Sequence, residues 1–216
     1  MLVQERMTHT PLTTTPETSV PDALRLMRER KVRRLPVLDA HGRLVGIVSD
    51  KDLLLVAPSP ATSLAIWEIP DLLGKLKIEK VMTRDVITVT EDTPLEEAAR
   101  IMADRKIGGL PVVRGQALVG IITETDLFKS FLELLGGRRP GVRVTVATSG
   151  GKGVIARLAS AISGVGGDIV GLGIAEVPGS GGAQWHITFK VQDAPRNQVV
   201  DALRPLVSDL LDVREM

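Results

Sequence analysis

The sequence predicts a mixed α/β (α+β) protein built of three small units in a row: two copies of a β-α-β-β-α unit, then a β-α-β-β-α-β unit. Three observations carry this reading. A stretch of the first third recurs in the second third. Within each copy, an amphipathic helical period precedes two short apolar runs around a turn. After a boundary rich in Gly, Arg and Pro, the period changes to strand-like alternation.

The repeat is long and ordered. Met7–Val37 (MTHTPLTTTPETSVPDALRLMRERKVRRLPV) aligns with Met82–Val112 (MTRDVITVTEDTPLEEAARIMADRKIGGLPV) at a constant offset of 75. DAHGR then faces RGQA, one residue shorter, and from Leu44 and Leu118 onward the offset is 74. The change in length falls inside a Gly-containing turn, where a duplicated unit tolerates it.

Within each copy the elements follow from the residues. Thr93-Pro94-Leu95-Glu96 reads as a capping box with Pro at the first helical position. Behind it Leu95, Ala98, Ala99 and Met102 recur at helical spacing, as do Val20, Ala23, Leu24 and Met27 in the first copy. LPV and LVGI are two strand runs joined by the turn, hence a hairpin, and a second helix begins near Asp52 and Asp126. Residues 56–80 contain Pro58, Pro60, Trp67 and Pro70 and read as the end of the first such helix and a linker. The predicted divisions are 1–57 and 80–135 for the copies, 58–79 for the linker and 140–216 for the last unit.

LGGRRPG (135–141) marks that last boundary. Beyond it VRVTVAT alternates like a strand, and Val154–Ile162 carries Ile155, Leu158, Ala159 and Ile162 on one helical face. GGDIVGLGIAEV and AQWHITFKV flank PGSGG as a hairpin, Asn197–Leu203 is a short helix, and Leu211–Arg214 a final strand. The order βαββαβ is the ferredoxin-like plan.

Composition narrows the function classes. With 44% hydrophobic and 25% charged residues the chain has ordinary globular composition. Aromatics at 2%, without Tyr, argue against a stacking surface for single-stranded nucleic acid. A net charge of +1 argues against a duplex-binding surface. The absence of Cys excludes disulfides, thiolate metal sites and a Cys nucleophile. No apolar run has bilayer-spanning length and MLVQERMTHT has no signal-peptide core, so the expectation is a cytoplasmic protein without a membrane partner. His9, His41 and His186 stand alone, and no metal or catalytic spacing emerges.

The duplicated polar residues Ser49 and Asp52, with Thr123 and Asp126, carry the candidate chemistry. S/T-x-x-D before an apolar helix is a capping signature. The same geometry offers free N–H groups to an anion and a carboxylate to vicinal hydroxyls. One residue can do both. SGGKG (149–153) could likewise hold an anion, but it lacks the Ser or Thr after the Lys that a P-loop requires, and a tight turn is the simpler reading.

The doubled set of MT, LPV, LVGI and S/T-x-x-D resembles a tandem pair of CBS domains, or Bateman module, over about residues 5–133. The resemblance implies a pseudo-twofold pair with clefts between the copies, in which the Asp holds a ribose and the hydroxyl residue sits near the α-phosphate. One cleft would join Thr123 and Asp126 to Thr10, Leu12, Val32 and Arg33. The other would join Ser49 and Asp52 to Asp85, Ile87, Ile107 and Gly108. Arg33-Arg34 places two cations where phosphates would point and Gly108-Gly109 places none, so the Thr123/Asp126 cleft is the stronger candidate.

The last unit resembles an ACT domain, although SGGKG stands where that family has an acidic residue and Pro-Gly. Gly151, Lys152 and Gly153 form the candidate effector loop. The whole architecture resembles bacterial acetoin-utilisation regulatory proteins. It implies a non-enzymatic sensor that needs no cofactor and binds AMP, ADP or ATP, with S-adenosylmethionine or a dinucleotide as alternatives. It also implies a homodimer and an unidentified regulated protein. The alternative is an interaction protein whose clefts no longer bind a ligand.

Overall fold

The computed structural model describes residues 1–56, 76–179 and 182–216. They form two compact units, Met1–Leu127 and Phe128–Met216. The predicted linker lies largely outside the described residues, as does the tip of the PGSGG turn.

In the first repeat, helix α1 (Val20–Arg30) precedes the antiparallel hairpin β2 (Arg34–Leu38) and β3 (Leu44–Ser49), and α2 (Asp50–Leu55) follows. In the second, α3 (Leu95–Arg105), β4 (Gly109–Arg114), β5 (Ala117–Thr123) and α4 (Glu124–Leu134) take the same roles. Strand β1 (Thr8–His9) precedes them all. Both hairpins carry a register shift at equivalent positions, Val37/Leu38 and Val112/Val113, directly before the turns of unequal length. Helices α1 and α3 bury the predicted faces, with Val20, Ala23 and Met27 matching Leu95, Ala98 and Met102. Both end on a left-handed lysine, Lys31 and Lys106, each at φ 54°.

The start of α3 differs from expectation. Thr93 does not form a capping box; its hydroxyl accepts from the Thr90 N–H at 3.1 Å, and the N-cap is Pro94, which has no side-chain acceptor to offer. The first copy caps in the ordinary way, with Ser19 Oγ accepting from the Asp22 N–H at 3.2 Å. The strand expected ahead of each helix shrinks to one parallel bridge, Thr14–Val37 and Val89–Val112.

The leading segments are exchanged between the repeats. Val3 and Met7 are buried in the core of the second repeat with Leu95, Met102 and Leu110. Val3 N–H donates to Thr93 O at 2.9 Å, and Thr8 pairs with Ile121. Reciprocally, Ile78 and Met82 are buried with Val20, Met27 and Leu35 of the first repeat. Ile78 N–H donates to Thr18 O at 2.9 Å, and Thr83 bridges Ile47. Residues 76–79, placed in the linker from sequence, are therefore a wall of the first core.

The pseudo-twofold axis can be located. Arg43 and Ala117, equivalent at the offset of 74, form an antiparallel bridge with each other. Residues related by a twofold meet only near its axis, so the axis passes between these two hairpin ends.

The second unit contains β6 (Val142–Thr148), α5 (Val154–Gly164), β7 (Asp168–Gly179), β8 (Gly182–Gln192), α6 (Arg196–Leu203) and β9 (Asp209–Glu215). The antiparallel sheet runs β7-β8-β6-β9, so the two helices follow β6 and β8 in the predicted β-α-β-β-α-β order. Val144, Val146, Leu158, Ile162, Phe189 and Leu203 form its core. Lys190 is buried among the strand ends, where its Nζ donates to Gly141 O at 3.0 Å and Met216 O at 3.2 Å.

Candidate functional site

In the first unit a cavity lies at each duplicated hydroxyl/carboxylate pair. At the first helix start, Ser49 N–H and Ser49 Oγ donate to Asp52 Oδ2 at 2.8 and 2.7 Å, while Asp52 N–H reaches Ser49 Oγ at 3.3 Å. At the second, Thr123 N–H and Oγ1 donate to Asp126 Oδ2 at 3.0 and 2.7 Å. Both carboxylates are thus fixed in place by the chain turning into a helix, and each lines a cavity. Capping and cavity-lining coincide in the same side chains.

The cavity at Thr123 and Asp126 has a volume of about 210 Å³. Leu12, Val32, Arg33 and Arg34 of the first repeat line it as expected, together with Thr8, Pro11, Lys31, Ile121 and Thr125. Thr10 is not among its lining residues; it is exposed, with φ 50°, between two neighbours in the wall, Thr8 and Pro11. Arg33 Nη2 donates to Thr125 Oγ1 at 3.4 Å, a hydrogen bond between the repeats across this cavity.

The cavity at Ser49 and Asp52 is larger, about 580 Å³. Asp85, Ile87, Ile107 and Gly108 all line it, so this predicted set comes together completely. Thr83, Lys51, Arg105, Lys106 and Glu124 also contribute. Gly108-Gly109 places no cation here, as expected, but Lys51, Arg105 and Lys106 do, as does Arg34, which lines both cavities. Arg34 reaches across because two glycines leave room. A Cβ on Gly108 would overlap its guanidinium, and one on Gly109 would lie 3.1 Å from its Cδ. Its Nη2 stands 3.9 Å from Glu124 Oε2 with only 20% of the side chain exposed. Burial pushes the guanidinium down from its ordinary value, and the nearby Glu124 carboxylate opposes that.

Lys31 and Lys106 were missed in the sequence. They are equivalent residues that end α1 and α3, and they line opposite cavities. The signal was available: a Lys stands at the same place in both copies, four residues before the Leu of Leu-Pro-Val.

The SGGKG loop is a tight turn. Gly150, Gly151 and Gly153 have φ of 75°, 109° and 79°, and Gly150 N–H donates to Thr148 Oγ1 at 2.8 Å. A Cβ at Gly150 would strike the Trp185 indole, and Lys152 is exposed. Among the described residues no group of three or more His, Asp or Glu side chains could hold a metal, and no helix is long and apolar enough to cross a membrane.

Comparison with known proteins gives a family model, the CBS domain, that matches residues 3–59 and 78–133. Three solved structures align with this region. CBSX2 in complex with AMP is 36% identical, covers 62% of this chain and 97% of its own, and has a TM-score of 0.52. The CBS domain pair of MJ0100, in complex with 5′-methylthioadenosine and S-adenosyl-L-methionine, is 31% identical, covers 64% and 98%, and has a TM-score of 0.51. A Vibrio cholerae protein assigned to acetoin utilisation is 35% identical, covers 64% and 95%, and has a TM-score of 0.53.

Proposed function

The chain belongs to the CBS-domain family, and on that premise we propose that it is a regulatory sensor of adenosine-containing ligands, which bind in the two clefts between its repeats. One observation carries the reading: two equivalent helix starts each present a capped carboxylate to a cavity lined by cations. A carboxylate held this way accepts hydrogen bonds from vicinal ribose hydroxyls, while neighbouring Lys and Arg side chains attract phosphate. The likeness to structures that hold AMP, or methylthioadenosine and S-adenosyl-L-methionine, supports the same ligand class.

The cleft at Asp52 takes the ligand first, which reverses the ranking expected from Arg33-Arg34. Its 580 Å³ lies within the range of about 300–1,000 Å³ usual for small-molecule sites, and the 210 Å³ at Asp126 lies below it. Ligand binding shifts the mutual angle of the repeats by whatever differential affinity it has for the two arrangements, typically about 1–3 kcal/mol. The second unit, whose strand order β7-β8-β6-β9 supports the ACT-like reading, is a second sensor or the output to a regulated protein. Association into a homodimer is supported by Phe128, Phe131 and Leu134 of α4, which are exposed.

Thermal unfolding with AMP, ADP, ATP, S-adenosylmethionine and adenosine tests the proposal. A ligand at 100 times its dissociation constant adds about 2.7 kcal/mol. Asp52→Ala should lose more of that increment than Asp126→Ala. No shift with any adenosine compound would leave an interaction protein with silent clefts.

A further inference from the structure

We infer that Arg34 is a shared phosphate-reading cation: a phosphorylated nucleoside in one cleft weakens the binding of a second in the other, and an uncharged nucleoside does not. The inference rests on the proposed adenosine sites and adds how they communicate. Arg34 lines both cavities, whereas Arg33 and Lys31 serve only the first and Lys51, Arg105 and Lys106 only the second. Its guanidinium donors lie in one plane, so a fork turned to a phosphate on one side is withdrawn from the other.

The fold supplies no second copy of this cation. The equivalent of Arg34 in the second repeat is Gly109, and the space above Gly108 and Gly109 is filled by the Arg34 side chain itself. Glu124 adds to the antagonism. It lines the Asp52 cavity, and its carboxylate stands 3.9 Å from Arg34. When a phosphate in the Asp126 cavity draws Arg34 away, that carboxylate is left facing any anion entering the Asp52 cavity, where it repels.

The test is isothermal titration calorimetry on the full chain with AMP and with adenosine, repeated on Arg34→Gln. In the wild type the two AMP binding steps should stand at least about fivefold farther apart than the two adenosine steps, the lower end of ordinary coupling. In Arg34→Gln the extra separation should vanish. If phosphate–phosphate repulsion were the cause, the separation would persist or widen in that variant, which overturns the inference. Gly108→Ala, whose methyl overlaps the guanidinium, provides an independent variant if Arg34→Gln fails to fold; it should narrow the AMP separation likewise. Equal separations for AMP and adenosine in the wild type overturn the shared cation and leave the adenosine sites standing. Failure of both ligands to bind overturns the sites as well.

Discussion

Arg34 and Gly109 occupy equivalent positions in the two repeats and lie against each other, with a Cβ on Gly109 falling 3.1 Å from Arg34 Cδ. Equivalent residues in contact mark the pseudo-twofold axis, as Arg43 and Ala117 do at the hairpin ends. A side chain as long as arginine fits there once. Symmetry at this point is broken by volume and charge together.

Restoring the symmetry should therefore be costly. Gly109→Arg sets two guanidinium stems in one space, and overpacking of this kind typically costs about 1–3 kcal/mol. Urea unfolding should show a lower midpoint with an unchanged slope. Stability equal to the wild type would mean that Arg34 does not occupy this space.

The exchange of leading segments predicts which residues couple. Ile78 is fully buried, and Ile78→Ala should cost about 2–5 kcal/mol. Although Ile78 precedes the second repeat in sequence, it shares a core with Leu35 of the first and not with Leu110 of the second. Double-mutant cycles should give about 0.5–3 kcal/mol of coupling with Leu35 and nearly none with Leu110. The reverse pattern would refute the exchange.

At the first hairpin turn, Asp39 accepts from the N–H groups of His41 and Arg43, each at 2.9 Å, and from Arg43 Nε at 2.8 Å. The backbone N–H of Arg43, followed by its side chain, holds the carboxyl down to about 2 from an ordinary 3.8. A depressed carboxyl stabilises the folded state above its unfolded value and loses that contribution as pH falls. The turn should loosen between about pH 3.8 and 2. Carboxyl carbon chemical shifts would locate the midpoint, and titration near 3.8 would contradict the hydrogen-bond set.

Capping and ligand binding can be separated at Asp52. Without ligand, Asp52→Ala should cost about 1 kcal/mol, the usual scale for a lost helix-start interaction. With AMP present the deficit relative to wild type should grow, because the variant also forfeits the ligand's contribution. A deficit that is independent of AMP would confine Asp52 to capping.

The hairpins, the helix faces and the duplicated carboxylates were legible because each rests on local spacing: period 3.6 in α1 and α3, paired apolar runs, and Ser49 or Thr123 three residues before its Asp. Partner choice was not. Val3 and Ile78 announce burial by being apolar, yet nothing local says that each enters the other repeat's core. The reach of Arg34 was hidden for a similar reason. Arg33-Arg34 reads as two cations for one cleft, and only the empty volume over Gly108 and Gly109 lets Arg34 reach the other as well. Motif position puts Thr10 in the wall, and the chain's left-handed turn there, at φ 50°, leaves it outside.

The reciprocal placement of Val3 and Ile78 has a consequence for heredity. Because the opening residues are traded, a gene that lost either repeat together with its leading segment would also lose side chains that fill the other's interior. A gene fragment encoding either half alone would specify an incomplete interior.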